Sequence, residues 1–488
     1  MRSLKCLYFA IPVIAFGVQC SRAQSSLTYN RGGNCSGYEV IPTEDGGFMI
    51  GGQASDDAGA GQYWVAKVNA QGKNVSWDSV YDLGYSQSFL WSIQPSYEAG
   101  GALLAGYTGV QGSELESALL VKIDSFGRIV KSYDVKYARA THAHWFAHRK
   151  QGGYFWGGHT DAEGDPTGDM ILQKLDSGMN KLWDSTYYLT INSGEHAHCG
   201  ALTSDGGCVL AGHTTVNGQE HTWAVRVDSN GVPIWKKLFD STAAMSESPY
   251  RVVETREGDF AIIGGTQSST ASRMRLLVVD SNGNKLIDKL YGTGYSWSQS
   301  GIQCSGGGYV LIGYYSTNTT QNALVVRTDA KGNIKWQQQY SGEALAAGYD
   351  LFQRNDDQFV LIGATAPNAN VNYSDLWVLY IDSNGAVTNY DTAASSVSAE
   401  GSIATSLSIF PNPLLSSEGS ATIMSSQPVN HVEIFDALGQ EVRAISSPHS
   451  TTMTWDAKDA MGNSVPSGVY FVRAITASGT VGAKLVIR

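Results

Sequence analysis

Apolar residues along most of this chain fall in short runs separated by glycine-rich polar turns. Runs such as Phe48-Met49-Ile50, Cys208-Val209-Leu210, Phe260-Ala261-Ile262-Ile263, Tyr309-Val310-Leu311-Ile312 and Phe359-Val360-Leu361-Ile362 are unbroken. That pattern predicts strands buried on both faces. Each is preceded by a strand such as Gly37-Tyr38-Glu39-Val40-Ile41 and a turn such as Asp45-Gly46-Gly47, where glycine permits a tight reversal. A third strand follows, as in Trp64-Val65-Ala66-Lys67-Val68, then a turn of the Asp228-Ser229-Asn230-Gly231 kind. A fourth strand often carries tryptophan, as at Trp77, Trp183, Trp235 and Trp336.

The cycle recurs seven times. The second residue of its glycine anchor stands at positions 47, 101, 153, 207, 259, 308 and 358, so successive repeats are 49 to 54 residues apart. Four short strands per repeat at that period predict a seven-bladed β-propeller with one repeat per blade. A small residue after each second strand (Gly51, Gly106, Gly158, Gly212, Gly264, Gly313, Gly363) is expected to let neighbouring blades approach closely. Leu27 to Gly33 and Ala386 to Tyr390 both read as a fourth strand for the last blade, and the sequence favours the N-terminal segment sealing the ring.

The pattern changes at both ends. Arg2 and Lys5 precede an apolar stretch, Leu7 to Val18, and Ser21-Arg22-Ala23 places small residues before Gln24. Residues 1–23 therefore read as a secretory signal peptide, and no later segment reads as transmembrane. The propeller is expected over 24–391 and an Ala/Ser/Thr linker over 392–406. From 407 to 488 come Ser408-Ile409-Phe410-Pro411-Asn412-Pro413, Val432-Glu433-Ile434-Phe435-Asp436-Ala437-Leu438-Gly439, Trp455-Asp456-Ala457, Ser467-Gly468-Val469-Tyr470-Phe471 and a terminal Lys484-Leu485-Val486-Ile487-Arg488. Alternating strands split by Asp-Gly and Gly-Asn turns predict a small β-sandwich.

That tail closely resembles the type A C-terminal sorting domain of type IX secretion in Bacteroidota and their relatives. The resemblance implies passage through the periplasm, recognition by outer-membrane secretion machinery, and release or attachment at the outer cell surface. A carbohydrate-enzyme-associated or flagellar-hook-cap-like sandwich is the alternative, because sandwiches share strand patterns without sharing function. The repeats themselves resemble those of secreted bacterial propellers, kelch- or quinoprotein-like in style.

Composition narrows the partners. With 33 basic against 44 acidic residues and a net charge of -11, a nucleic-acid-binding surface is not expected. Four cysteines follow the leader: Cys35, Cys199, Cys208 and Cys304. Export would permit oxidation, and Cys199 and Cys208 could face each other across two strands; buried free thiols are the other reading.

Histidine placement is the sharpest candidate for chemistry. His142 and His144 lie eleven and nine residues before Gly153, and His159 six after it; His196, His198 and His213 repeat those offsets about Gly207. Residues two apart on a strand share a face, so each His-x-His could offer two imidazoles to a divalent metal or to an anionic ligand between the third and fourth blades. The other reading is a duplication whose imidazoles satisfy polar strand ends. Asp161, Glu163, Asp165 and Asp169 space oxygens in a loop that could hold calcium, although Leu172 stands where a bidentate Glu would be needed. Lys67, Lys122, Lys174, Arg226 and Arg327 recur near the end of the third strand, either as a positive ring or as stems over apolar surface.

No Gly-x-Ser-x-Gly, P-loop or His-Glu-x-x-His is present. Glu195-His196 and Glu220-His221 are adjacent, but neighbours along a strand face opposite ways. The expectation is a secreted or surface binding or scaffold propeller for a polysaccharide or protein ligand. The alternatives are a glycan-active hydrolase or lyase with carboxylates that converge only in space, and a metal-binding propeller using the duplicated histidines.

Overall fold

In a computed structural model of the chain, residues 19–22, 26–29, 35–388 and 407–487 are described, apart from short segments between strands. The chain divides into two compact units, 1–393 and 394–488. Every regular element among the described residues is a β-strand. Among the described residues, no helix is long and apolar enough to cross a membrane, which says nothing of spanning by strands.

The first unit is built of small antiparallel sheets of four strands. The first sheet comprises Cys35–Pro42, Phe48–Ser55, Gly61–Val68 and Val75–Tyr81, paired in that order. The first strands of the next six are Gln87–Pro95, Thr141–His148, Glu195–Leu202, Ser246–Glu254, Tyr295–Gln303 and Leu345–Gln353. Single parallel bridges, Ser272 to Tyr295 and Gln321 to Leu345, link the last three sheets into one continuous sheet. Each first strand lies against the first strands of the sheets before and after it, and the seventh lies against the first.

Second and third strands are buried over most of their length, because a neighbouring sheet covers each face. Ile41, Met49, Tyr63 and Val65 of the first sheet, for example, pack on Ile93, Leu104, Leu119 and Val121 of the second. Burying one such side chain contributes about 1.5–3 kcal/mol. Fourth strands face water more: Ile129 and Val130 are exposed.

The seventh sheet takes its fourth strand from the N-terminus. Ser26–Tyr29 runs antiparallel to Leu376–Leu379, as the sequence favours. The competing segment is not displaced, however. Val387 bridges Ile381 and the Thr388 amide donates to the Tyr380 carbonyl, so the two segments share one strand edge end to end. The seventh sheet therefore uses both candidate segments rather than the N-terminal one alone: Ser26–Tyr29 pairs with Leu376–Leu379, and Val387 and Thr388 take the edge at Ile381 and Tyr380. The seventh sheet also packs on the first, with Val360, Ile362, Leu376 and Val378 against Val40, Ile50 and Trp64. Gln19–Arg22, inside the expected leader, runs parallel to Gln338–Ser341. The linker, expected over 392–406, falls outside the described residues.

Gly51 does what was expected, since a Cβ there would meet Ile93 of the second sheet at 2.8 Å, but most of the repeated glycines have a different task. A Cβ on Gly158 would stand 1.8 Å from the carbonyl oxygen of His142, and one on Gly212 1.6 Å from that of His196. These contacts are to the first strand of the same sheet, not to a neighbouring one. In the first sheet the equivalent residue is Gly52 rather than Gly51, since its Cβ would meet the Ser36 carbonyl at 1.8 Å. The glycine thus admits a first-strand carbonyl pushed inward by a β-bulge two residues further on.

The C-terminal unit has strands Leu407–Phe410, Ala421–Phe435, Glu441–Trp455, Gly468–Thr476 and Gly479–Ile487. Register breaks between Met424 and Val429 divide the two long strands into segments around one core of Ile423, Val432, Ile434, Trp455, Tyr470 and Leu485. The arrangement is β-sandwich-like.

Candidate functional site

The bulge recurs at one place in all seven first strands. Register slips between Gly37 and Glu39, Leu90 and Ser92, Ala143 and Trp145, Ala197 and Cys199, Pro249 and Arg251, Ser298 and Ser300, and Gly348 and Asp350. The skipped residues are Tyr38, Trp91, His144, His198, Tyr250, Gln299 and Tyr349. An extra residue in one strand re-aims its side chain. Here all seven converge on one chamber of about 400 Å³ enclosed by the first strands.

The chamber wall is largely aromatic. Tyr349 meets Tyr38 edge-on at 5.4 Å between ring centroids, Trp91 stacks on His144 at 5.3 Å, His144 meets His198 at 5.6 Å and His198 meets Tyr250 at 5.3 Å. Trp91 is 38% exposed and therefore reachable from solvent. Burial holds the Tyr38, Tyr250 and Tyr349 phenols above their ordinary range, so they stay protonated.

The residue after each bulge sets a second tier, and a charged cluster lies there. Arg251 of the fifth sheet donates from Nη1 to Glu39 Oε1 of the first. Glu39 also accepts from the Ile93 amide at 2.8 Å and from Gln94 Nε2 at 2.6 Å. Asp350 accepts from the Val40 amide at 2.9 Å and from Ser300 Oγ at 2.5 Å. Both carboxylates are thus occupied by protein donors. Burial raises the Glu39 pKa, with Arg251 opposing that shift.

All six histidines singled out in the sequence lie in one continuous string along the third and fourth sheets. His142 faces His159 across two strands with centroids 4.7 Å apart, and His196 faces His213 at 5.0 Å. His159 stacks on His196 at 4.2 Å and joins the two groups. His142 and His144 do not share a face by simple alternation, because His144 is the bulged residue; the bulge turns it toward the axis. Burial pushes His144, His159 and His198 well below the usual imidazole range, and His213 down to about 4. His198 Nε2 and His213 Nδ1 form a hydrogen bond of 2.8 Å. The ligand atoms of His142, His144 and His159 all lie within 4.8 Å of one another.

Other candidates separate from this site. Asp161, Glu163 and Asp165 lie outside the described residues, while Asp169 opens the strand Asp169–Leu175 opposite Thr160. The recurring cations are engaged locally: Lys67 pairs with Asp45, Arg226 with Asp205, Lys122 donates to Tyr154, Lys174 to the Ser229 carbonyl and Arg327 to that of Gly307. They brace turns rather than form a ring. Glu195 is buried and accepts from Thr214 Oγ1 at 2.8 Å, while Glu220 accepts from Ser248 Oγ and lies 3.9 Å from His213. All four cysteines are buried thiols, and register sets Cys199 opposite Ala211 and Cys208 opposite Leu202. Tyr38, Trp91, Tyr250, Gln299 and Tyr349 escape sequence reasoning because their identities differ. Their signal is positional: each stands nine residues before the second anchor residue, ten for Trp91.

Residues 415–480 match the FlgD Ig-like domain family. No curated protein matches the chain. Among solved structures, it is similar to PorZ, described as an essential bacterial surface component of the type-IX secretion system of Porphyromonas gingivalis. Identity there is 12% and the TM-score 0.41, over 91% of this chain and 69% of that one. It is similar to Sqt1 of Chaetomium thermophilum at 13% identity and TM-score 0.45, over 74% and 85%. The BP39L lectin of Burkholderia pseudomallei shows 6% identity and TM-score 0.48, over 73% and 98%.

Proposed function

We propose that this chain is an exported, surface-held or released seven-bladed β-propeller that binds a small neutral saccharide in its axial chamber. The observation that carries the reading is the convergence of seven bulged side chains on one cavity. Its volume is at the lower end of the range usual for ligand sites. Aromatic faces suit sugar rings, and neutral imidazoles, phenols and the Gln299 amide supply hydrogen-bonding groups. Arg251 is already paired with Glu39, and Asp350 accepts from Val40 and Ser300, so these charges are engaged within the protein rather than offered to an ionic ligand. Closure of the ring is supported by the N-terminal strand on the seventh sheet and by Tyr380, whose hydroxyl donates to the Gly72 carbonyl at 2.7 Å.

Residues 1–23 serve as a cleaved leader in this reading, and 407–488 as the address for outer-membrane secretion machinery. The FlgD-like match over 415–480 is compatible with such a sandwich. Deleting 407–488 should retain the protein in the periplasm of a native host, as cell fractionation would read.

The hydrolase reading is weaker for a specific reason. The carboxylates that meet at the chamber, Glu39 and Asp350, already accept bonds from backbone amides and side chains. A general acid or base needs a lone pair or proton directed at substrate. The binding reading is tested by a glycan screen followed by titration of tryptophan fluorescence. Trp91→Ala and Tyr250→Ala should each weaken binding at least tenfold; unchanged affinity in both would sink the chamber as the binding site.

A further inference from the structure

Within the chamber wall, the third and fourth sheets carry the same three histidines but arrange them differently. In the fourth sheet His198 Nε2 and His213 Nδ1 face each other at 2.8 Å, so one lone pair is already engaged by the other ring. In the third sheet the corresponding nitrogens are not joined. His144 Nε2 and His159 Nδ1 are both buried and have no hydrogen-bond partner. A buried polar nitrogen left this way is destabilising unless something outside the protein satisfies it.

A third imidazole completes the group. His142 stands opposite His159, and its Nε2 lies 2.5 Å from Glu116 Oε2 on the neighbouring sheet. A carboxylate on one ring nitrogen fixes the tautomer and turns the other nitrogen's lone pair outward, as outer-shell partners of metal-bound histidines do. Three imidazoles around one zinc ion at ordinary bond lengths stand about 3.4 Å apart. The three ligand atoms here lie within 4.8 Å of one another, so modest side-chain rotations close the set.

We propose that His142, His144 and His159 bind one borderline divalent transition metal, of the zinc, nickel or copper kind, with Glu116 as the positioning residue. Three nitrogen donors without a carboxylate in the inner set disfavour calcium and magnesium, which take oxygen ligands. Burial keeps His144 and His159 neutral, the form in which imidazole ligates. This assignment stands whether or not the chamber takes a saccharide.

The test uses the full-length protein carrying no polyhistidine tag. Zinc binding is measured by calorimetry and by elemental analysis after dialysis, and cobalt substitution is read by visible absorption. One equivalent per chain and an intense cobalt spectrum of tetrahedral type are expected. His144→Gln and His159→Gln should each weaken zinc binding at least tenfold, and Glu116→Gln less. His213→Gln, in the group closed by its own hydrogen bond, should leave affinity within twofold. Thermal unfolding of metal-free samples checks that each variant folds. Absence of stoichiometric metal, or undiminished binding in a folded His144→Gln, His159→Gln double variant, overturns the proposal. So does a loss on His213→Gln as large as that on His144→Gln.

Discussion

Arg251, on the fifth sheet, and Glu39, on the first, meet across the interior of the fold, 212 residues apart in sequence. Neither sheet neighbours the other, so this ion pair ties opposite sides of the fold to each other. Removing one member leaves the other buried charge uncompensated, a loss of about 3–5 kcal/mol. Arg251→Met should therefore lower the denaturant midpoint strongly. Arg251→Met combined with Glu39→Gln should recover a substantial part, since the orphaned carboxylate is gone. A double variant as unstable as the single one would show that the pair is not the cause.

The bulge glycines give a sharper contrast. At Gly158 an added Cβ would meet the His142 carbonyl, and main chain cannot move aside without undoing the bulge. Gly158→Ala should cost about 3 kcal/mol or more and shift His144 out of the chamber. Gly306 is the control: a Cβ there meets nothing within 4 Å and its φ is not left-handed. Gly306→Ala should be neutral or stabilising by about 0.5 kcal/mol through the unfolded chain. Thermal midpoints of the two variants decide the matter.

The contrast also explains what the amino-acid sequence reveals and what it conceals. Strand cycles, turns and the change of pattern near residue 407 are local, and they are legible because burial on two faces demands unbroken apolar runs such as Phe359 to Ile362. The six histidines are visible as a repeated offset. The chamber is not, because Tyr38, Trp91, Tyr250, Gln299 and Tyr349 share a backbone register rather than a residue type. That register comes from a glycine on the adjacent strand, and a pattern read along one strand does not contain it. The ion pair of Glu39 with Arg251 is hidden for the same reason: only the placement of the sheets brings the two side chains together.

Consecutive sheets are joined by tyrosines. Tyr81, Tyr187, Tyr291 and Tyr340 each donate to the carbonyl of a turn glycine on the next sheet, Gly127, Gly231, Gly332 and Gly385, at 2.6–2.8 Å. Tyr380 makes the equivalent bond from the seventh sheet to Gly72 of the first. A single buried hydrogen bond contributes about 1 kcal/mol. Tyr340→Phe and Tyr380→Phe should each lower stability by about that amount, and the two should add, since they sit on different joints. If Tyr380→Phe alone had no effect in chemical denaturation, the joint between the last and first sheets would carry no strength from this bond.

The buried imidazoles set the response to acid. His213 titrates near 4 in the folded chain because burial disfavours its cation, with Glu220 opposing and His196 adding to the shift. An unfolded histidine titrates near about 6.5. Between those values the unfolded chain binds a proton that the folded chain refuses, so stability falls as pH drops from about 6.5 toward 4 and levels off below. His198, pushed in the same direction by burial and by its imidazole neighbours, steepens the loss. The thermal midpoint of the metal-free protein should therefore decline across this window. His213→Gln should flatten the slope by about one proton while leaving the midpoint at pH 8 little changed. An unaltered slope in that variant would mean that His213 is protonated in the folded chain.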